Sequence, residues 1–393
     1  MPGTALAHLD FLSRQIGPRG STTESEREAA EYARKHFGSL GLETHVEQFT
    51  SPRTGWRQFF LASLFTLIAV VIGIAGGQAG ALLAGLIALV CAVSAVLELY
   101  YRPNLLRLFV PKGISQNVWA KIPSAEQTIQ RALVLAHIDT HRTPWVFETP
   151  SRLLFFRVIS SLGILAFAVI SILFFASAVT GLDWLRWTSM IFFPLLLAGL
   201  ILTWQADRTL FTQGANDNGS GSSIVLSLAD QLSGEPLKNL ELWLLITGCE
   251  EVGAYGAQAF VAEHKHELAG FQAINIDNVG GVGAGVCYIS LEGMLIRYKA
   301  SPLLFSLADE IRAGRPGDLI YTKTYTTLHT DGTCLMTHGI PSLSFVGLTP
   351  EGRIPEWHRR TDTVERINPD AVSDVDSFVL EMLRRLDGRL AKD

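Results

Sequence analysis

The chain has 393 residues, of which 48% are hydrophobic and only 18% are charged, and its formal net charge is −5. This composition excludes a disordered chain, which combines low hydrophobicity with high charge. A net negative chain also has no electrostatic footprint for nucleic acid. The charged fraction lies below the roughly 25% of an average soluble protein. Much of the chain therefore lies in lipid or in an unusually large core, and the length allows about two or three domains.

Two long apolar segments predict membrane-spanning helices. Residues 59–97 contain no charged side chain, which is too long for one span of about 20 residues, and glycines near the middle predict a hairpin over 59–76 and 79–97. Residues 158–182 and 187–206 predict a second hairpin. Trp and Tyr residues stand at the ends of these spans, as in interfacial aromatic belts. The alternative is a set of buried helices in a soluble core, but such helices rarely run this long without a charge.

The charges that flank these spans predict an orientation. Both hairpins return the chain to the side it left, so the polar remainder of the chain shares one side. Arginine and lysine residues flank the spans on that side, whereas the hairpin turns carry only Asp183 and Arg186. Positive flanks favour the cytoplasmic side. We therefore expect a multi-pass protein of the plasma or inner membrane with its polar portion in the cytoplasm.

The polar remainder has the pattern of an α/β domain. Short apolar runs at 132–136, 240–247, 271–276 and 341–346 are typical of strands buried on both faces. Helical segments alternate with these strands, which predicts a mostly parallel sheet with helices on both faces. These segments are 21–41, 220–232, 255–267, 302–313 and a last helix that begins at Asn368 and Pro369. Thr23 and Glu26 have the spacing of a capping box at the start of the first one.

Chemically active side chains follow the predicted strands, where ligands gather in an open α/β sheet. Taken singly, each is typical of a cap, a turn or a solvated face. Together, two histidines and several carboxylates at buried strand ends require a counter-cation, because uncompensated buried charge is prohibitive. Two divalent cations would offset this charge. The residues are His137, Asp139, Asp217, Glu250, Glu251, Asp277 and His358.

The order and spacing of these elements resemble peptidase family M28, a group of zinc peptidases that includes bacterial aminopeptidases. The resemblance covers nearly all of the polar portion and implies the zinc-aminopeptidase α/β fold. The motifs that carry it are Ala136-His137-Ile138-Asp139, Gly214-Ala215-Asn216-Asp217-Asn218-Gly219-Ser220-Gly221, Glu250-Glu251-Val252-Gly253, Asn275-Ile276-Asp277 and His358 with Thr361-Asp362-Thr363.

By position, the resemblance implies that Asp217 bridges two metal ions. His137 and Asp277 would complete one site, and Glu251 and His358 the other. Two zinc ions are expected, with cobalt or manganese as substitutes.

The resemblance also implies roles outside the ligand set. Glu250 would be the general base, Asp139 would orient His137 through its other ring nitrogen, and Asp362 would support the loop of His358. The chemistry agrees, since a metal pair lowers the pKa of a bound water toward 7. Glu250 can then take its proton and hand one to the leaving amine.

Two apolar insertions depart from the soluble members of the family. The predicted peptidase domain is split into 1–56, 102–152 and 207–393, around hairpins at 57–101 and 153–206. The second hairpin separates His137 from Asp217, two expected ligands of one metal. Either the site faces the bilayer and accepts a substrate held there, or this hairpin is only an anchor.

Other residues are weaker candidates. We interpret His141 as a loop residue rather than a spare ligand, and Cys249 as a small buried residue rather than a nucleophile. Small residues at Gly73–Gly77 and Ala81–Gly85 allow close helix packing, within a hairpin or between copies. Weak candidates for substrate contact are His329, Thr330, Asp331, Tyr321 and Tyr325.

The leading prediction is a membrane-embedded di-zinc metallopeptidase of aminopeptidase type, which hydrolyses N-terminal peptide bonds with a metal-bound water and Glu250 as base. The alternatives are glutaminyl-cyclase-like aminoacyl transfer and a non-catalytic membrane receptor that retains the fold. A transporter is disfavoured because the first hairpin and most of the second lack ionisable residues. The expected partners are a peptide and the lipid bilayer, with no nucleic acid. The sequence leaves open the side-chain preference, aminopeptidase against dipeptidase or carboxypeptidase action, and the oligomeric state.

Overall fold

The computed structural model describes residues 4–293, 296–323 and 329–390. The chain divides into two compact units, each built from separate stretches of sequence. The first unit contains a sheet and the helices that cover it, and the second is helical. The first comprises Met1–Ser51, Gly113–His141 and Phe211–Asp393, and the second comprises Pro52–Lys112 and Arg142–Leu210.

A mixed sheet of eight strands forms the centre of the first unit. The described strands are β1 (Glu43–Pro52), β2 (Lys112–Ile122), β3 (Gln130–His137), β4 (Leu240–Thr247), β5 (Gln272–Asp277), β6 (Gly285–Ile289), β7 (Leu291–Glu292), β8 (Tyr298–Lys299), β9 (Ile320–Lys323) and β10 (Ser342–Leu348). The order in the sheet is β1-β2-β4-β3-β5-β10-β6-β9, while β7 and β8 form a separate ribbon.

The centre of the sheet is parallel and its flanks are not. Strands β4, β3, β5 and β10 run parallel to one another. Strand β2 pairs antiparallel with β4, and β6 pairs antiparallel with β10, while β9 runs parallel to β6. The predicted α/β fold with a mostly parallel sheet is therefore confirmed. Strands β6 and β9, which were not predicted from the sequence, are short and lie at one flank of the sheet.

Helices cover the sheet in the first unit and make up the second. The described helices are α1 (Thr4–Asp10), α2 (Glu24–Ser39), α3 (Trp56–Ala75), α4 (Gly77–Leu99), α5 (Pro150–Thr180), α6 (Asp183–Thr188), α7 (Phe193–Ala206), α8 (Gly221–Leu232), α9 (Tyr255–His264), α10 (Pro302–Ala313), α11 (Asp331–Thr337) and α12 (Pro369–Leu390).

Alternation along the central strands creates two apolar layers, because successive side chains of a strand point to opposite faces. In β3, Val134 packs in the larger core with residues of α2, α8 and α12. Its neighbours Leu133 and Leu135 pack in a second cluster with Trp243 and Phe260. Both faces of β3 are thus buried, which explains why its sequence is continuously apolar.

The start of α2 differs from the predicted capping box. The Thr23 hydroxyl accepts the N–H of Glu26 at 3.3 Å, as expected of an N-cap. The Glu26 carboxylate does not return to the Thr23 amide. It is fully buried and accepts the N–H groups of Thr22 at 2.7 Å and Cys249 at 3.0 Å. Glu26 therefore joins the helix to the turn that follows β4, and burial with the charge of Asp139 raises its pKa to about 8.

The second unit contains four helical segments that are long and apolar enough to cross a membrane, by length and composition. They are Trp56–Ala75, Gly77–Leu99, Pro150–Thr180 and Asp183–Ala206. The third begins at Pro150, before the predicted residue 158, because Thr149 caps it by accepting the N–H of Arg152 at 3.3 Å.

Small residues in this unit pack against aromatic rings. A Cβ added to Gly73 would lie 2.2 Å from Cε1 of Phe174, and one added to Gly85 would lie 3.0 Å from Cδ1 of Phe175. Ser171 donates a hydrogen bond to the Gly85 carbonyl at 2.9 Å. Both glycines therefore contribute to close packing of α3 and α4 against α5.

Candidate metal centre

Three adjacent parallel strands bring the predicted side chains to one edge of the sheet. His137 closes β3 opposite Thr247, the last residue of β4, and Asp277 closes β5. Glu250 and Glu251 follow shortly after β4. The carboxyl ends of parallel strands share an edge, so these side chains converge there.

Asp217 reaches this edge from a tight loop before α8. Gly214 in the loop has φ +61°, and an added Cβ would lie 2.2 Å from Cγ2 of Thr140 and 2.5 Å from the Asp217 carbonyl oxygen. A side chain at this position would therefore force the loop apart. The Asp217–Asn218 peptide bond is cis.

Asp362 holds this same loop, which corrects the predicted role in supporting the loop of His358. Its carboxylate accepts the N–H of Asn216 at 2.7 Å and that of Asp217 at 3.1 Å. Asp362 is fully buried, and burial raises its pKa to about 7. It therefore couples the segment that carries His358 to the main chain of the Asp217 loop.

Arg19 supports the loop from the other side. Its side chain is fully buried, and burial lowers the pKa of its guanidinium to about 10. It donates to five carbonyl oxygens at 2.8–2.9 Å, so one buried cation ties the amino-terminal segment to β3 and to the loop. The acceptors belong to Leu12, Gly17, Ile138, Gln213 and Gly214.

The structure brings all five predicted ligands together. Nε2 of His137 lies 3.4 Å from Oδ1 of Asp217 and 3.4 Å from Oδ1 of Asp277. Nε2 of His358 lies 3.3 Å from Oδ2 of Asp217 and 3.2 Å from Oε2 of Glu251. Asp217 thus presents one carboxylate oxygen to each histidine, with one further carboxylate beside each ring.

Asp139 acts mainly on the segment after β4 rather than on His137. Its carboxylate accepts the N–H of Glu250 at 3.0 Å, the N–H of Glu251 at 3.2 Å and the hydroxyl of Ser21 at 2.6 Å. Nδ1 of His137 bonds the main-chain oxygen of Asp139 at 3.1 Å, and the carboxylate lies farther away, at 3.4 Å. The predicted contact between the two residues exists, but through the main chain.

Glu250 stands beside the cluster without bonding to it. Its Oε2 lies 3.9 Å from Nε2 of His137, beyond hydrogen-bond distance. Burial raises the pKa of Glu250 well above its usual range, and the charges of Asp331 and Asp277 act in the same direction. A carboxyl group with a raised pKa next to a ligand cluster is suited to exchange protons near neutral pH.

His141, interpreted from the sequence as a loop residue, lies within the cluster. Its ring stacks on that of His358 with centroids 3.5 Å apart and planes 17° apart. Potential ligand atoms of His141, Glu251 and His358 all lie within 4.8 Å of one another. His141 lies in a loop, as expected from the sequence, and its HxDxH spacing with His137 and Asp139 is the sequence signal for this proximity.

The charges at this edge favour a bound cation. Burial raises the pKa of Glu251 well above its usual range, with the charge of Asp217 next in effect. Burial opposes ionisation of Asp217 too, but the neighbouring imidazoles of His137 and His358 hold its pKa well below the usual range. The buried oxygens Oδ2 of Asp217 and Oε1 of Glu251 have no hydrogen-bond partner among the described residues. Divalent cations fit this donor set, because they would satisfy those oxygens and offset the charge.

Several residues here have left-handed backbone conformations that side chains rarely adopt. Cys249 has φ +54°, Asn278 has φ +56° and His358 has φ +55°. Such residues concentrate at functional sites, where surrounding contacts hold them. The Cys249 thiol is buried and its pKa is raised well above its usual value by burial, so it is not an activated nucleophile.

The weaker substrate-contact candidates have structural partners. Thr330 caps α11, and its hydroxyl lies 2.9 Å from a carboxylate oxygen of the buried Glu292. Asp331 is buried and accepts the hydroxyl of Thr247. Burial lowers the pKa of His329 to about 4. The Tyr321 hydroxyl donates to the Leu348 carbonyl at 2.9 Å. Tyr325 lies outside the described residues.

Comparisons with known proteins give one family match over part of the chain and several similar structures. Residues 200–383 match the model of peptidase family M28. The structure is similar to a zinc aminopeptidase from Bacillus subtilis, with 15% identity, a TM-score of 0.59 and coverage of 98% of this chain and 94% of that chain. It is also similar to a Zn-dependent exopeptidase from Parabacteroides distasonis, with 14% identity, a TM-score of 0.58 and coverage of 98% of each chain.

A third similar structure is a glutaminyl cyclase from Tannerella forsythia, with 15% identity, a TM-score of 0.57 and coverage of 98% of each chain. No curated protein matches the chain significantly in sequence. At these identities the likeness between structures establishes the fold.

We predict that Asp362→Ala destabilises the protein, because two buried amides lose their acceptor, at about 1–3 kcal/mol for each. Denaturant unfolding of the purified full-length chain measures this change. Asp374→Ala is the matched control, since that carboxylate also accepts a backbone N–H, at 3.2 Å from Leu319, but at a half-buried position. Equal losses in the two variants would contradict the assigned role of Asp362.

Proposed function

We propose that this chain, whose residues 200–383 match the model of peptidase family M28, is a membrane-embedded di-zinc metallopeptidase of aminopeptidase type that hydrolyses N-terminal peptide bonds. One observation carries this proposal. Asp217 directs its two carboxylate oxygens to two different histidines, at 3.4 Å from His137 and 3.3 Å from His358. A carboxylate shared between two ligand sets is the arrangement that a two-metal site requires.

Zinc fits the residues at this edge. His137 and Asp277 would hold one ion, Glu251 and His358 would hold the other, and Asp217 would bridge them. Imidazole and carboxylate are ordinary zinc ligands, and cobalt or manganese can substitute in such sets. When bound, zinc supplies a Lewis acid that polarises the scissile carbonyl and lowers the pKa of a water molecule.

Glu250 would carry out both proton transfers of the hydrolysis. Its raised pKa allows the carboxylate to accept a proton from the attacking water and then to donate one to the leaving amine. Asp139 fixes the position of this base, because it binds the main-chain N–H groups of both Glu250 and Glu251. The base and one ligand are therefore held by a single buried carboxylate.

Aminoacyl transfer with cyclisation of an N-terminal glutamine is the second candidate. The likeness to a glutaminyl cyclase from Tannerella forsythia is the observation that favours it. The five converging ligand side chains support two ions and hydrolysis instead. The number of bound ions and the chemical identity of the product separate the two reactions.

We predict that Glu250→Gln lowers peptide cleavage by about 10²–10⁴-fold, the usual contribution of a general base. The glutamine keeps the shape of the side chain and cannot accept the proton. The measurement follows a mixed peptide pool by mass spectrometry, with zinc-loaded, detergent-solubilised protein. Metal content is measured in parallel and should not change.

The control for this variant is Glu263→Gln, an exposed residue of α9, which should cleave like the unaltered protein. Loss of single residues from free amino termini, abolished by Glu250→Gln, is the result expected for an aminopeptidase. Release of internal fragments or carboxy-terminal residues would refute the aminopeptidase assignment. Cyclised amino termini without shortening would favour the transferase.

We further propose that His141 contributes to the metal site that contains Glu251 and His358, because its ring lies against both. His141→Phe keeps an aromatic ring for stacking and removes the nitrogen donors. We predict that it weakens binding of one zinc ion by at least about tenfold. Competition with a chromophoric chelator measures this affinity, and the exposed His266→Phe is the control. Unchanged affinity for both ions would leave His141 as a packing residue only.

We also propose that the apolar helices span the membrane. The first unit, which contains the candidate metal centre and is called the peptidase unit below, would lie on the cytoplasmic side. The support is the four long apolar helices, together with the arginines and lysines that flank them. Large apolar side chains in them are exposed, including Val71 at 62% and Val179 at 85%, as expected of surfaces that face lipid.

Cysteine labelling tests this topology. We predict that Asp183→Cys, in the turn of the second hairpin, reacts with a membrane-impermeant maleimide on intact cells. Glu235→Cys, an exposed position of the peptidase unit, should react only after permeabilisation. The native cysteines are all buried, which keeps the background low. Labelling of Glu235→Cys on intact cells would place the peptidase unit on the opposite side.

A further inference from the structure

A second cluster of metal-ligand side chains lies where α1, α2 and α8 meet. It consists of His8 on α1, His36 on α2 and Asp230 near the end of α8. One potential ligand atom of each lies within 4.8 Å of the other two. Asp230 is nine residues beyond the start of α8, or about 13 Å along the helix at 1.5 Å per residue. The cluster is therefore separate from the strand-end site beside the start of that helix.

Each imidazole faces a different oxygen of one carboxylate. Nε2 of His8 is hydrogen-bonded to Oδ2 of Asp230 at 3.1 Å, and Nε2 of His36 lies 2.9 Å from Oδ1. The second contact lacks hydrogen-bond geometry, and the buried Nε2 of His36 has no hydrogen-bond partner among the described residues. A buried ring nitrogen close to an oxygen, but not bonded to it, resembles the arrangement of the strand-end ligands.

His264, which also has two carboxylates nearby, differs from His36. Nε2 of His264 bonds Glu47 at 2.7 Å, and Nδ1 bonds Glu267 at 2.9 Å, both with hydrogen-bond geometry. Both ring nitrogens of His264 are hydrogen-bonded to carboxylates, whereas Nε2 of His36 has no such partner among the described residues. Proximity of carboxylates alone therefore does not explain the arrangement around His36.

His8 has the outer contact that a metal-bound imidazole normally makes. Its Nδ1 lies 2.7 Å from the hydroxyl of Tyr32. When Nδ1 carries the proton and donates it to Tyr32, Nε2 presents a lone pair toward Asp230 and His36. Burial, with the charge of His36 adding to it, lowers the pKa of His8, which favours the neutral form that binds metals.

We propose that His8, His36 and Asp230 bind one divalent transition-metal ion, with zinc as the expected occupant. Two imidazoles and one carboxylate form a known three-ligand zinc set, with water in the fourth position. The side chains of His36 and Asp230 are 17% and 20% exposed, so water reaches the outer side of the cluster. The ion would tie α1 to α2 and α8. This proposal does not depend on the proposed function of the strand-end site.

The test counts zinc in the full-length protein after the strand-end site is disabled. In a His137→Ala/His358→Ala background, the detergent-solubilised chain is stripped with chelator, supplied with zinc, passed through gel filtration and measured by mass spectrometry for metals. We expect one zinc ion per chain. Adding His36→Gln or Asp230→Asn should lower the affinity for this ion at least about a hundredfold, while adding His264→Gln should leave it unchanged.

Two further readouts keep the test decisive. Zinc should raise the Tm of the background protein by several degrees, and this shift should vanish with His36→Gln. Circular dichroism identifies any variant that does not fold. If His36→Gln does not fold, the zinc affinity of the Asp230→Asn variant tests the proposal instead. Absence of bound zinc in the background protein, or equal binding with and without His36→Gln, would overturn the proposal and leave a hydrogen-bonded cluster without metal. His36→Gln in the otherwise unaltered chain should retain peptide cleavage. The result for this second metal site can therefore be distinguished from the result for the proposed peptidase activity.

Discussion

The concentration of buried carboxylates at one edge of the sheet is the constraint on which the rest of the structure depends. Asp139, Asp217 and Asp277 are all at most 5% exposed, and the only described cations within the fold that approach them are imidazoles and the buried Arg19. Uncompensated charge of this kind destabilises a fold strongly. Main-chain N–H groups directed at these carboxylates offset part of the negative charge. The negative charge that remains makes this edge of the sheet a candidate cation site.

Structural features that depend on residues close together in the sequence could be predicted from the sequence. The apolar run of β3 and the polar residues at its end follow from a strand buried on both faces. The apolar segments 59–97 and 158–206 were readable in the same way, because helix formation over that length depends on composition. Family resemblance supplied the ligand set, and the structure brings those side chains together.

Contacts between residues that are distant in the sequence could not be predicted from it. Glu26 has the spacing of a capping residue, but its carboxylate serves the amide of Cys249, far along the chain. Asp362 was expected to support its own loop and instead binds the amides before Asp217. His141 lies in a loop, as expected, but the stacking of its ring on that of His358 was not predicted. In each case the partner is set by tertiary packing, which no local spacing encodes.

The division of the first unit among three stretches of chain has a consequence for biosynthesis. His137 lies in the second stretch, Asp217 follows residues 142–210 and His358 comes near the end of the third. A nascent chain therefore cannot assemble the complete ligand set until the ribosome has made both apolar insertions and the segment that carries His358. Any hydrolytic capacity is thereby withheld during translation, and incomplete products released early would lack it.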